Sequence, residues 1–199
     1  MTTTTTTTPL QENVGLRAPL LFAIVILLGF GLAYSLAGAA LGRAFFPIEA
    51  SGSTIARDGR IVGSALVAQP FSDARYFQPR PSAASFDPMA AAGSNVARSN
   101  PDLRTRIAEL TQTVAEREGI APAEVPAELV TQSGSGLDPH LSPRAASVQV
   151  QRIAKARGID AATIQGLVAS KTEAQQFGVL GQPRVNILRL NLALDALPR

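Results

Sequence analysis

The residues best suited to chemistry stand together in Thr131-Gln132-Ser133-Gly134-Ser135-Gly136-Leu137-Asp138-Pro139-His140. Ser135, Asp138 and His140 are the residue types of a nucleophile, an orienting carboxylate and a general base. A membrane-anchored extracytoplasmic serine hydrolase using Ser135 and His140 is therefore one reading. Gly134 and Gly136 permit unusual backbone angles, so exposed N–H groups here would suit an anion. A direct ATP-binding module is accordingly another reading. Three features weigh against both. The spacing is not that of a P-loop, and no Lys-Ser/Thr follows. The glycines adjoin Ser135 directly, unlike a G-x-S-x-G elbow. Asp138 and His140 lie two residues apart across Pro139, so residue type alone does not establish their geometry. A structural loop is preferred, with His140 hydrogen-bonded to backbone near a helix start at Ser142. No catalytic residue is assigned.

Elsewhere the chain offers little chemistry. It has no cysteine, which excludes disulfides, thiolate nucleophiles and Cys-based metal sites. His140 is its one histidine, so a multi-histidine metal site is excluded and no metal ligand is assigned. The net charge is +3, and because Glu12 offsets Arg17 it falls wholly beyond the apolar segment near the N-terminus. That small excess is scattered, with no basic run beside aromatic residues, which leaves nucleic-acid binding unsupported. Arg80 and Arg184 each adjoin a proline and could pair with carboxylates at an interface.

Several elements must position the loop. Asp58-Gly59 suits a tight type I′ turn, which predicts a hairpin within residues 53–68, with Ile61, Val62, Leu66 and Val67 as its β-type residues. Residues 69–100 are Pro- and Ser-rich and read as a long irregular segment. Asn100-Pro101 opens a helix whose stripe is Leu103, Ile107, Leu110 and Val114, ended by Gly119. Ser142-Pro143 repeats that start and predicts one helix to Gly158, with Ala146, Val150 and Ile153 inward. Asp160 caps a shorter helix carrying Ile164, Leu167 and Val168. Residues 185–197 alternate at Leu188, Leu190, Leu192 and Leu194, which fits strand, helix, or one followed by the other. The mixture predicts a single small α+β domain.

Leu20 to Leu41 is 22 residues without a charge. At about 1.5 Å per residue it spans the roughly 30 Å hydrocarbon core of a membrane. It exceeds the apolar core of a signal peptide, about 7–15 residues, so a retained anchor in contact with lipid is expected. Gly31, Ser35, Gly38 and Gly42 recur at steps of four, three and four, which predicts one small-residue face for packing against a partner helix. The expected organisation is a disordered Thr-rich tail over 1–18, a transmembrane helix over 19–42 and a domain over 43–199. Arg17 on one side and Arg43, Arg57 and Arg60 on the other leave orientation undecided by charge.

A series of short motifs then acquires a common meaning. It runs through Gly63-Ser64, Gln69-Pro70-Phe71, Tyr76-Phe77, Arg80-Pro81-Ser82-Ala83, Gly93-Ser94-Asn95 and Ser99-Asn100-Pro101. It continues through Val130-Thr131, Ser133 to His140, Ala156-Arg157-Gly158, Gly178, Leu180-Gly181, Pro183-Arg184-Val185-Asn186 and Leu190 to Leu194. In this order and spacing the sequence resembles the C chain of the bacterial high-affinity potassium-transporting ATPase, the KdpC family. Gln132 stands where that family often has Ala, and the threonine tail lies outside the resemblance.

The resemblance implies a non-catalytic subunit of a potassium uptake complex, in the bacterial inner membrane. Its N-terminus would be cytoplasmic and its domain periplasmic. Its partners would be a channel-like potassium-binding subunit, a P-type ATPase subunit and a small stabilising subunit. The chain has no Asp-Lys-Thr-Gly motif, and one membrane helix cannot enclose an ion path, so potassium would pass through a partner. The family is also described as a catalytic chaperone that raises the ATP affinity of the ATPase subunit. Gln132, Ser133, Gly134, Ser135, Gly136, Asp138 and His140 would then form a contact loop for a partner or a nucleotide. No cofactor is expected to be bound stably by this chain, and ATP would act through the complex. A periplasmic domain would affect ATP affinity by linkage through the membrane chains.

Overall fold

The structure is a computed structural model and describes residues 15–198. The Thr-rich stretch Thr2 to Thr8 lies outside the described residues. The chain forms two units, an N-terminal helical one that ends at Ser51 and a domain that begins at Gly52.

The first unit is dominated by one helix, Arg17–Phe45, long and apolar enough to cross a membrane. Its 29 residues make it longer than the uncharged run at both ends. Pro19 falls in its first turn, where a missing N–H removes no intrahelical bond. Leu27–Ala33 forms wider turns with i→i+5 bonding, in which the Tyr34 N–H reaches Gly29 O. Gly31 lies inside these wide turns, whereas Ser35, Gly38 and Gly42 stand on the regular turns of Tyr34–Phe45. The 3.6-residue period that aligns the last three therefore does not by itself carry back to Gly31.

The domain is α+β. It opens with the hairpin of β1 (Thr54–Arg57) and β2 (Arg60–Ser64), joined at Asp58 and Gly59, both at positive φ as a type I′ turn requires. Leu66 and Val67 do not extend β2. The Ser64 hydroxyl accepts from the Leu66 N–H and turns the chain out of the strand.

A second sheet has the order β3-β5-β4, all antiparallel: β3 is His140–Leu141, β4 is Thr172–Glu173 and β5 is Arg184–Asn186. The tail is thus strand followed by helix, since β5 runs directly into Ile187–Asp195, where Asn186 caps the Arg189 N–H.

Pro101–Glu118 starts at Asn100, which accepts from the Asp102 N–H, and ends at left-handed Gly119. Of its predicted stripe only Val114 is fully buried. The helix predicted between Ser142 and Gly158 is two helices, Pro143–Ser147 and Val150–Arg157. Between them the Gln149 N–H reaches Ala146 O, an i→i+3 bond that tightens the turn. Ala161–Ser170 follows, capped by Asp160.

The core gathers Phe77, Leu141, Ile153, Ile164, Val168, Val185, Leu190 and Leu194, each at most 1% exposed. Beside it, Glu118 is buried with its carboxylate between Arg117 Nε at 2.6 Å and Arg152 Nε at 2.9 Å. Irregular as it is, the 69–100 segment enters this core through Phe77.

Candidate functional site

The Thr131–His140 stretch emerges from a short turn at Ala127–Leu129 and feeds β3. Its backbone is tied to three other parts of the domain. Leu137 O accepts from the Ala68 N–H at 2.8 Å. Gly136 O accepts from the Ser82 hydroxyl at 2.6 Å, and that hydroxyl in turn accepts from the Ala84 and Phe86 N–H groups. Pro139 O accepts from the Ile187 N–H at 3.0 Å, which fixes the loop against the last helix.

The glycines serve close approach. A Cβ on Gly136 would stand 2.7 Å from Ala92 O and 2.8 Å from Ala84 Cβ, and its φ is +71°. A Cβ on Gly93 would stand 2.8 Å from Gly134 O. Gly93 and Gly136 therefore let two irregular segments lie backbone to backbone, which a side chain at either position would prevent. Gly134 itself is open to a Cβ.

Arg80 and Asp138 close the arrangement. Arg80 Nη1 donates to Asp138 Oδ2 at 3.1 Å, and Nη2 donates to Thr131 O and Gln132 O at 3.4 and 3.3 Å. Asp138 Oδ1 accepts from the His140 N–H at 3.1 Å and stands 3.4 Å from His140 Nδ1. Burial alone would push the Asp138 carboxyl up. The hydrogen bonds from His140 and Arg80 outweigh it and hold the group below its ordinary value.

Ser135 is exposed and points elsewhere. Its hydroxyl accepts from the Leu137 N–H at 3.1 Å and lies 3.4 Å from the Ser133 hydroxyl. Ser133 is buried. Among the described residues no hydrogen bond joins Ser135 to His140. The cleft beside His140 has a volume of ≈ 470 Å³ and is lined by Glu128, Asp138, Ser142 and Arg184, with Ser135 outside it. The structure thus brings Asp138 to His140 but does not add the serine that a triad needs. Nor, among the described residues, does the His140 side chain hydrogen-bond backbone near the Ser142 helix start; its Nδ1 faces Asp138. At that start Glu128 accepts from the Ser142 N–H and hydroxyl, while Ser142 Oγ caps the Ala145 N–H. Among the described residues no group of three or more His, Cys, Asp or Glu is placed to hold a metal ion.

Arg184 pairs with Glu173 across the sheet at 3.0 Å, at an exposed site where such pairs contribute little. Sequence reasoning placed Ser82 and Asn191 in its motif series but missed their roles, and missed Gln149 altogether; these polar residues organise the irregular segment. A further signal was a polar side chain inside an apolar helix pattern, at Gln149 next to Val150 and at Asn191 between Leu190 and Leu194.

On the membrane helix, added Cβ atoms at Gly31, Gly38 and Gly42 would meet nothing within 4 Å.

Comparison with known proteins gives one consistent result. The potassium-transporting ATPase KdpC subunit of Xanthomonas oryzae pv. oryzae (strain MAFF 311018) is 60% identical over 94% of this chain and 90% of that protein. The KdpC subunit of Sorangium cellulosum (strain So ce56) is 49% identical over 89% of this chain and 95% of its own length. That of Shewanella putrefaciens (strain CN-32 / ATCC BAA-453) is 46% identical over 97% and 96%. The family described as KdpC, K+-transporting ATPase, c chain, matches residues 16–196. With the match spanning both the membrane-length helix and the α+β domain, the chain belongs to the KdpC family.

Proposed function

We propose that this chain is a non-catalytic accessory subunit of a high-affinity, ATP-driven potassium uptake complex, which it assembles and stabilises. Membership of the KdpC family carries this reading. The loop supports it. The Asp138 carboxylate and the Gly136, Leu137 and Pro139 carbonyls are engaged with Arg80, Ser82, Ala68 and Ile187 inside the domain, as befits a fixed surface for a partner rather than a reaction centre.

In this reading the Arg17–Phe45 helix is a single pass through the bacterial inner membrane, with the N-terminus cytoplasmic and the domain periplasmic. Ser35, Gly38 and Gly42, on the regular turns of Tyr34–Phe45, face a helix of a partner. The partners are a channel-like potassium-binding subunit, a P-type ATPase subunit and a small stabilising subunit, and potassium passes through a partner chain. The ATP affinity of the ATPase subunit rises because this chain prefers the conformation that binds ATP more tightly. A subunit with such a preference shifts the population without touching the nucleotide.

The test is to delete the chain and purify the remaining subunits. Loss of the full complex, or of its potassium-stimulated ATPase activity, is expected. A complete complex with normal activity would overturn the proposal.

A further inference from the structure

The most exposed apolar group of the domain's second half sits on a small, rigid loop. Gln176 and Leu180 pair as an isolated antiparallel bridge, with the Gln176 N–H donating to Leu180 O and the Leu180 N–H to Gln176 O, both at 2.9 Å. The Gly178 and Val179 N–H groups also turn inward, to Gln175 O and Gln176 O. Gln175 Nε2 closes the base on Gly181 O at 2.8 Å. The tip so formed presents Phe177 at 84% exposure, Val179 at 76% and Leu180 at 57%.

Phe177 has φ +54° and Gly178 φ +76°. A left-handed aromatic residue is uncommon, and such backbone conformations gather at functional sites. Here it aims an aromatic ring at solvent, where exposure of so much apolar surface brings the free chain no benefit.

We infer that the 175–181 loop is a plug that inserts Phe177, Val179 and Leu180 into a neutral, apolar pocket on another protein subunit of the complex. The inference rests on the accessory-subunit reading above. The kind of partner follows from charge and geometry. Residues 174–183 contain no charged side chain to pair with a charge across the contact, which suits an uncharged pocket. Insertion into a lipid surface commonly draws on free Lys or Arg around the apolar residues; residues 174–183 carry neither, and the Arg184 that lines the hollow beside Gln176 and Leu180 is paired with Glu173 at 3.0 Å. The Gln176, Gly178, Val179 and Leu180 N–H groups are bonded within the loop, so the tip offers a partner side chains rather than a free strand edge. A tip already fixed in one conformation loses little freedom on binding, which suits a shaped protein pocket and gives no advantage in fluid lipid.

The experiment uses the full complex in its membrane. Phe177 is replaced by the photoreactive p-benzoylphenylalanine, which keeps an aromatic ring at the tip, and cross-linked products are identified by mass spectrometry. The expected product joins this chain to another subunit of the same ATPase. In parallel, Phe177→Asn removes the ring while suiting a left-handed backbone, so the loop keeps its shape. It should lower recovery of the partner subunits with this chain by about tenfold or more, as loss of a central aromatic anchor does. A cross-link to lipid alone, to a second copy of this chain alone, or to nothing overturns the inference, and so does unchanged recovery with Phe177→Asn. If wild-type chain recovers no partner subunits, the accessory-subunit reading itself fails, which is a separate outcome.

Discussion

The side chain of Asn191 pairs with both backbone groups of Phe77. Its Oδ1 accepts from the Phe77 N–H at 2.9 Å and its Nδ2 donates to the Phe77 carbonyl at 2.9 Å. The next residue repeats the device with a different helix. Gln149 Oε1 accepts from the Gln78 N–H at 2.8 Å and its Nε2 donates to the Gln78 carbonyl at 3.1 Å. An irregular segment cannot enter a core unless its backbone groups find partners. Two buried amide side chains supply them here, and Phe77 reaches full burial as a result.

Asn191→Leu keeps the branching and the number of side-chain heavy atoms, adds bulk, and leaves two buried backbone groups unpaired. At about 1–3 kcal/mol for each group, the domain should lose about 2–6 kcal/mol. Urea unfolding followed by circular dichroism measures this. A loss under about 0.5 kcal/mol would show that the Phe77 backbone finds other partners.

Gly136→Ala and Gly134→Ala should differ sharply although the two residues are neighbours in the same loop. Position 136 has φ +71° and would drive a Cβ into Ala92 O and Ala84. Left-handed strain of about 1–2 kcal/mol and overpacking of about 1–3 kcal/mol together predict a loss of about 2–5 kcal/mol. Position 134 has open space and should change stability by less than about 0.5 kcal/mol. Melting temperatures of the two variants decide it; equal values would contradict the close packing of residues 84–93 on the loop.

The acid limb of the stability curve should carry the signature of Asp138. Its folded pKa lies below the ordinary 3.8, because hydrogen bonds from His140 and Arg80 exceed the cost of burial. The unfolded chain therefore binds this proton more readily. The carboxylate's contribution is fully present above about 3.8 and disappears as pH falls through the folded value. Asp138→Asn should flatten this part of the curve and, since the pair with Arg80 is partly exposed, cost about 1 kcal/mol at neutral pH. Asp195 contributes with the same sign: burial opposes ionisation, and bonds from Arg157, Tyr76 and Arg57 favour it more strongly. Some acid dependence should thus survive in the Asp138 variant. A variant curve parallel to wild type at every pH would exclude the assignment to Asp138.

Much of this architecture is legible in the sequence where local chemistry decides it. Asn100-Pro101, Ser142-Pro143 and Asp160 all open helices, and Asp58-Gly59 turns a hairpin, because caps and left-handed turns depend on a few adjacent residues. The break at Gln149 was not legible, since it accompanies a hydrogen bond to Gln78, distant in sequence. The stripe Leu103, Ile107, Leu110 and Val114 marks the covered face of Pro101–Glu118, but depth of burial depends on what covers a helix, and toward Leu103 the cover is thin. In the loop, residue types suggested a triad. The direction of Ser135 is set by the Leu137 N–H and by backbone anchored to Ser82, contacts that spacing does not encode.

Glu118→Gln tests a buried charge. The Glu118 carboxylate is fully enclosed and bonded to Arg117 and Arg152, and the Arg152 side chain is only 9% exposed. Removing the negative charge leaves Arg152 in low-dielectric surroundings without its counter-ion, a loss of about 3–5 kcal/mol for a buried pair. Denaturant unfolding reads it directly, and a neutral result would mean that water reaches Arg152 in solution.

Gly38→Leu addresses the membrane helix. Gly38 lies on the regular turns of Tyr34–Phe45 with Ser35 and Gly42, and among the described residues nothing stands within 4 Å of an added Cβ. Within the helix the substitution therefore meets no clash, and Leu favours a helix more than Gly does. In lipid there is little hydrophobic drive between helices, so association depends on close packing, which a Leu at the contact prevents. The variant should insert normally yet bring down less of the partner subunits from solubilised membranes. Leu36→Ala is the control, since Leu36 belongs to another face by spacing, and its assembly should be unchanged. Equal recovery for Gly38→Leu and wild type would remove the Ser35–Gly42 side as a docking surface, while leaving the helix as an anchor.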